Sequence, residues 1–142
     1  MNGKDCDQLL KPYLGYLGSK SAMAEALVEM MPPEAFQSYC EVFAGGAGLF
    51  LKKPRARVQT ILNDLDPDVV NAHAMVAAQP QAVMAELEKL RPSRHQFDRF
   101  RKLRETPEWW TLTDVQRAAA FIYLAKCSVN SKLLSFSVSS KV

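Results

Sequence analysis

The chain has 142 residues, a hydrophobic fraction of 48% and a formal net charge of +3, which fits one globular domain with its own core. No run of about 18 apolar residues occurs, so we expect no transmembrane helix, and the polar start MNGKDCDQ is unlike a secretory signal. Three widely spaced cysteines, Cys6, Cys40 and Cys127, argue against a disulfide framework or a zinc site and favour a reducing cytoplasm.

The first half of the chain alternates between helical and strand patterns. Apolar residues at helical spacing predict a helix over 19–31, and a buried strand is expected over 38–43. The stretch 48–54 is expected to form a helix or a strand. A second strand is expected over 58–62, followed by a helix over 66–78 with Asp at its cap and Pro at its first position. This order favours an α/β fold with a parallel sheet.

The second half reads as helical. Apolar residues at three- and four-residue spacing predict helices over 80–90, 93–105 and 113–126. The tail that follows alternates only loosely between polar and apolar residues.

Three features in the first half suggest a binding site. Three of the chain's 6 glycines lie within four positions, in EVFAGGAG at 41–48, directly after the first predicted strand. Glycines there let backbone N–H groups approach a ligand. Asp64 follows Gly45 by 19 positions, which suits an acid that accepts hydrogen bonds from ribose hydroxyls. Lys20, ahead of the first strand, offers a cation to a carboxylate or phosphate.

Each feature also has an ordinary structural explanation. Glycines are common in turns, Asp64 fits a solvated turn, and Lys20 fits an exposed helix position. Glu41 is harder to explain in this way, because a carboxylate within an apolar strand needs a partner if it is buried. The glycines do not match the dinucleotide pattern G-x-G-x-x-G, and GSKS at 18–21 does not match a P-loop. S-adenosylmethionine fits better, since it combines a ribose with a carboxylate and has no phosphate.

Four motifs, in order, are similar to those of the Dam-type (D12 class) adenine-specific DNA methyltransferases. They are YLGSK at 16–20, EVFAGG at 41–46, NDLD at 63–66 and IYLAKCSVNS at 122–131. That family methylates the exocyclic amino group of adenine, and the chain resembles its N-terminal part. The resemblance implies a partial Rossmann-like, S-adenosylmethionine-dependent methyltransferase sheet over 1–79. A helical DNA-recognition region and the start of the remainder follow over 80–142.

The resemblance also implies roles for individual residues. Six would form the cofactor site: Tyr16 near the cofactor, Lys20 at its carboxylate, Glu41, Phe43 and Gly45 shaping the pocket, and Asp64 at the ribose. Double-stranded DNA would be the partner of the helical region. Its contacts would be Arg94, Arg99, Arg101 and Asn130. The window 89–104 supports this, since it carries seven basic residues and one acid, a net charge of +6. A solvated helix face remains the alternative.

The family's acceptor motif, (D/N/S)-P-P-(Y/F/W), is the feature that these residues lack. Its oxygens bond the adenine amino hydrogens and its aromatic ring stacks on the flipped base. The one Pro-Pro pair, Pro32-Pro33, follows Met31, precedes Glu34 and lies before the glycine turn. We therefore expect a truncated, catalytically silent methyltransferase without catalytic residues of its own, whose missing C-terminal half is an expected partner. The alternatives are a non-catalytic DNA-binding or regulatory remnant and an unrelated nucleotide-binding α/β protein.

Overall fold

The structure, a computed structural model, describes residues 12–18, 23–31, 37–53, 59–129 and 132–137. Helices and strands alternate first, and helices follow. The elements are α1 (Ala24–Glu29), β1 (Ser38–Glu41), β2 (Gln59–Leu62), α2 (Pro67–Ala78), α3 (Pro80–Glu88), α4 (Arg94–Arg104), a 3-10 helix (Pro107–Thr111) and α5 (Asp114–Lys126). No helix in these ranges is both long enough and apolar enough to cross a membrane.

The two strands form a parallel pair, as the sequence predicted. Their register runs from Ser38 opposite Gln59 to Glu41 opposite Leu62. Pairing continues past the strands, because Asn63 N–H donates to the Glu41 carbonyl and Ala44 N–H donates to the Asn63 carbonyl, both at 2.8 Å. The carboxyl ends of β1 and β2 therefore lie side by side, and the turns that follow them meet at one edge of the sheet.

The stretch after the glycines is neither a helix nor a strand, so the prediction for 48–54 is wrong over its described part. Residues 48–53 form successive turns, with hydrogen bonds from Leu51 N–H to the Ala47 carbonyl and from Lys53 N–H to the Leu49 carbonyl. Ala47 has a φ of +52°, in the left-handed region, which regular helices and strands do not use. The conformation of this one residue redirects the chain.

The later helices confirm the sequence predictions, and side chains cap three of them. The Asp66 carboxylate accepts from Asp68 N–H at the start of α2, and Ser93 caps α4. A capping box of Thr113 and Gln116 begins α5. The 3-10 helix between α4 and α5 was not predicted, since five residues are too few to show a period.

One hydrophobic core joins the helical region to the segment before β1. Every residue from 118 to 125 in α5 is buried, and α5 lies against α2, α3 and α4. The largest fully buried side chains are Trp109, Phe97, Phe121, Leu14, Leu124, Val69 and Val83. Leu14, in the segment before β1, and Val69, on α2, share this core with α4 and α5. The segment before the sheet is therefore packed directly against the helical region.

Candidate functional site

A cavity of about 140 Å³ lies at the carboxyl ends of the two strands. Five of the six residues predicted to hold a cofactor line it, and Lys20 lies outside the described residues. The lining consists of Tyr16, Leu17, Gly18, Glu41, Phe43, Ala44, Gly45, Gly48 and Asp64. Residues separated by up to 48 positions in the chain thus meet in one place.

Asp64 joins the two turns at this edge. Its Oδ2 accepts from Gly45 N–H at 2.8 Å, and its Oδ1 accepts from Asp66 N–H at 3.0 Å. A carboxylate has about four lone-pair sites, so both oxygens retain capacity to accept from a ligand. Asp64 therefore holds the glycine turn in place and still presents acceptors to the cavity.

The first two glycines of the turn lie against the segment 14–16. A Cβ on Gly46 would stand 2.5 Å from the Leu14 carbonyl oxygen, and a Cβ on Gly45 would stand 3.0 Å from the Tyr16 ring. Gly45 also has a φ of +49°, a conformation that L side chains rarely adopt. The sequence suggested that these glycines approach a ligand, and the structure shows that they first allow close packing of the protein's own backbone.

We expect Gly46→Ala to lower the free energy of unfolding by roughly 1–3 kcal/mol, because the new methyl group overpacks against a backbone oxygen that cannot rotate away. Urea unfolding measures this loss. The adjacent exchange Ala47→Gly is the control, since glycine suits the left-handed φ at that position and no comparable loss is expected. A Gly46→Ala midpoint equal to that of the wild type would contradict the close approach.

Glu41 is the buried carboxylate that the sequence singled out. Glu41 is only 7% exposed, and its Oε1 accepts a hydrogen bond from the Tyr39 hydroxyl. Burial, and then the hydrogen bond to Glu41, raise the pKa of Tyr39. Glu41 Oε2 is buried and has no hydrogen-bond donor among the described residues. A buried acceptor without a donor is costly, so this oxygen favours a ligand that donates to it.

Two aromatic residues complete the wall of the cavity. Phe43, in the turn two residues after β1, is 72% exposed and presents an apolar surface. Tyr16 is half-buried, and burial together with the carboxylates of Asp66 and Asp64 raises the pKa of its phenol. The phenol of Tyr16 is therefore neutral at physiological pH and available as a hydrogen-bonding group beside the acids.

Three of the four residues predicted to contact DNA lie on α4 and do not line this cavity. The Arg94 guanidinium stands over the Phe136 ring at 5.5 Å, and that of Arg99 over the Phe100 ring at 5.9 Å. Arg101 lines a second cavity, of about 420 Å³, together with Trp110 and Lys132. Asn130 lies outside the described residues.

Some of the basic residues in the window 89–104 form ion pairs that stabilise the fold. Arg104 donates from Nε to Asp68 Oδ2 at 2.6 Å and from Nη2 to Asp66 Oδ2 at 2.7 Å. Burial lowers the pKa of Arg104, but its hydrogen bonds with Asp68 and Asp66 outweigh that effect and raise it. Lys89 pairs with Glu86 at 2.7 Å. The charge of +6 read from the sequence therefore overstates the charge available to a partner.

Sequence reasoning missed Asp68 and Trp109, which complete this network. Asp68 is 2% exposed, and its Oδ1 accepts from Trp109 Nε1 at 2.9 Å. We call Asp66, Asp68, Arg104 and Trp109 the Asp68 network. The acid pair at the start of α2 was a visible signal, but nothing local in the sequence indicated its partners 36 and 41 positions away.

A parallel pair of strands, followed by helices and carrying a glycine turn at its carboxyl edge, places the chain in the class of mixed α/β proteins. Within that class, the chain belongs to the D12 class N6 adenine-specific DNA methyltransferase family, whose sequence model matches residues 16–140. A search of curated proteins found no match. The resemblance drawn from the four motifs is thereby confirmed at the level of the family, whose enzymes are transferases that act on DNA.

Proposed function

We propose that the cavity at the strand ends binds S-adenosylmethionine and that these residues supply the cofactor-binding part of a site-specific DNA adenine methyltransferase. The observation that carries the proposal is the hydrogen bond between Asp64 Oδ2 and Gly45 N–H, at 2.8 Å. It holds the expected ribose acceptor against the glycine turn in the cavity that Tyr16, Glu41 and Phe43 also line.

The residues present fit the chemistry of this cofactor. Glu41 Oε2 is a buried acceptor suited to the cofactor's ammonium group, and Asp64 retains lone pairs for the ribose hydroxyls. Lys20 is the proposed partner of the cofactor's carboxylate. The cavity of about 140 Å³ is smaller than the roughly 300–1,000 Å³ typical of ligand pockets, so it encloses only part of the molecule.

Transfer of the methyl group requires groups beyond those that bind the cofactor. S-adenosylmethionine supplies an electrophilic methyl group on a sulfonium. The adenine amine is a poor nucleophile, because its lone pair is delocalised into the ring. The 142 residues contain no D-P-P-Y type motif to bond the amino hydrogens and stack the base. We propose that the chain holds the methyl donor and does not transfer the methyl group by itself.

Calorimetric titration tests the binding, and a methyl-transfer assay with labelled cofactor tests the absence of transfer. We expect saturable binding of S-adenosylmethionine and no binding of ATP, whose phosphates would face Asp64 and Glu41. We also expect no incorporation of labelled methyl groups into adenine-containing duplex DNA. Equal heats for the two ligands would refute the assignment of the cavity. Methylation of DNA by this chain would refute the proposal that it does not transfer the methyl group by itself.

DNA binding by α4 is a second candidate function. Arg91, Arg99 and Lys102 are exposed and form no ion pair with another described residue. Arg101 and Lys132 add two cations at a cavity of about 420 Å³, next to the half-exposed Trp110. These cations suit DNA phosphates, and this function does not depend on the cofactor.

Replacing Arg99 and Arg101 by alanine is expected to weaken binding to a duplex and to lower the slope of log affinity against log salt by about 2, because each phosphate contact contributes about 0.9. Fluorescence anisotropy over a salt series measures the slope. Lys89→Ala is the matched control, since Lys89 already pairs with Glu86, and it should leave the slope nearly unchanged. An unchanged slope in the double variant would show that these arginines do not contact phosphates.

A further inference from the structure

His73, on α2, bridges two segments that meet at the glycine turn. Its Nε2 lies 2.8 Å from the Gly45 carbonyl oxygen, and its Nδ1 is hydrogen-bonded to the Tyr13 hydroxyl. The rings of Tyr13 and His73 meet edge to face, with centroids 5.6 Å apart and planes at 82°. His73 is partly buried and does not line the cavity. The proposed function leaves these contacts without a role.

The partners of His73 fix which nitrogen carries the hydrogen. A backbone carbonyl only accepts, so Nε2 must donate to Gly45. In the neutral ring Nδ1 is then an acceptor, and the Tyr13 hydroxyl donates to it. Burial raises the pKa of Tyr13, which keeps that hydroxyl protonated. The order of donation therefore runs from Tyr13 to His73 and from His73 to Gly45.

Gly45 is held on both of its backbone groups as a result. Its N–H donates to Asp64 at 2.8 Å and its carbonyl accepts from His73 at 2.8 Å. The peptide bond is planar, so fixing the Gly45 carbonyl also fixes the Gly46 N–H, which lies in the same plane and points in the opposite direction. Glycine restricts its own rotation very little. The bond from His73 is therefore the one of these two anchors that acts directly on the peptide between the two glycines.

We propose that His73, oriented by Tyr13, is a positioning residue that fixes the Gly45–Gly46 peptide at the cofactor cavity. The inference rests on the proposed function of that cavity, since the peptide is where His73 would influence the ligand. His73 acts through the backbone and does not touch the cofactor. Loss of His73 should therefore lower both the order of the turn and the affinity for the cofactor.

The test uses His73→Phe, His73→Gln and Tyr13→Phe. Phenylalanine removes both ring nitrogens, glutamine keeps an N–H donor on a flexible side chain, and Tyr13→Phe removes only the hydroxyl. His95→Phe is the matched control, because His95 is the other of the 2 histidines and is exposed on α4. Calorimetry gives the affinity for S-adenosylmethionine. Amide hydrogen exchange of Gly45 and Gly46, measured by NMR without cofactor, gives the order of the turn.

We expect His73→Phe to weaken cofactor binding about 10-fold, which is about 1.4 kcal/mol, and to speed exchange of both amides. His73→Gln should recover part of each loss, Tyr13→Phe should show a smaller loss, and His95→Phe should match the wild type. If His73→Phe does not fold, the other two variants carry the test.

Two results would overturn the inference: wild-type exchange rates at Gly45 and Gly46 in these variants, or equal affinity losses in His73→Phe and His73→Gln. The failure of the proposed function looks different. In that case the wild type would not bind S-adenosylmethionine, while the exchange rates, measured without it, would still decide the role of His73 at the turn.

Discussion

Replacement of Asp68 by alanine is expected to lower the free energy of unfolding by about 3–5 kcal/mol, the range for breaking a buried ion pair by removing one partner. Asp68 is 2% exposed and accepts from Trp109 Nε1 at 2.9 Å and from Arg104 Nε at 2.6 Å. Without it, the fully buried Trp109 loses the acceptor for its N–H group, and Arg104 keeps only Asp66. Each unpaired group pays its desolvation cost in full.

Urea unfolding followed by tryptophan fluorescence measures this loss. Asp98→Ala is the matched control, because the Asp98 carboxylate is 41% exposed and stands 3.9 Å from Arg101 in a surface pair. Such pairs contribute about 0–1 kcal/mol. Similar losses in the two variants would show that the Asp68 network adds nothing beyond a surface charge pair.

Asp64→Ala is expected to weaken binding of S-adenosylmethionine by at least about 100-fold, roughly 2.7 kcal/mol. Two effects combine in this variant. The ribose loses its carboxylate acceptor, and Gly45 N–H loses the oxygen that holds it at 2.8 Å. Hydrogen bonds to a charged group contribute about 1.5–3 kcal/mol each, so the loss of one such contact already approaches the expected effect.

Calorimetric titration measures the affinity of each variant. Asp114→Ala is a suitable control, since the Asp114 side chain is 62% exposed and its one ion pair among the described residues is with Arg117 in the same helix. Its affinity should match the wild type. Equal affinities for Asp64→Ala and the wild type would contradict the cavity assigned to the cofactor.

The Asp68 network also links the two proposed surfaces. Arg104 ends α4, the helix that carries the proposed DNA contacts, and it bonds Asp66 and Asp68 at the start of α2. Asp66 N–H in turn donates to Asp64 at 3.0 Å. A continuous set of hydrogen bonds thus runs from Arg104 through Asp66 to Asp64 at the proposed cofactor cavity, so the relative position of the two surfaces depends on Asp66.

Local patterns in the sequence were sufficient for much of the fold. The helices from α3 to α5 were predicted from apolar residues at three- and four-residue spacing, and α2 was predicted from the cap and proline at its start. The parallel pair of strands followed from the order of strand, turn and helix. The prediction for 48–54 failed because the left-handed backbone of Ala47 cannot be read from an alanine. The roles of all the predicted cofactor and DNA residues remain predictions, and two of these residues, Lys20 and Asn130, lie outside the described ranges.

The sequence by itself determined the family, the glycine turn and the presence of an acid, Asp64, 19 positions after Gly45, because these depend on residue types at short or fixed spacing. Only the tertiary structure decided which groups support them. His73 reaches Gly45 across 28 positions, and Arg104 reaches Asp68 across 36. Neither pairing leaves a local pattern, since a hydrogen bond between distant segments depends on how the helices pack. That packing is set by the shared core around α5, which no single stretch of the chain encodes.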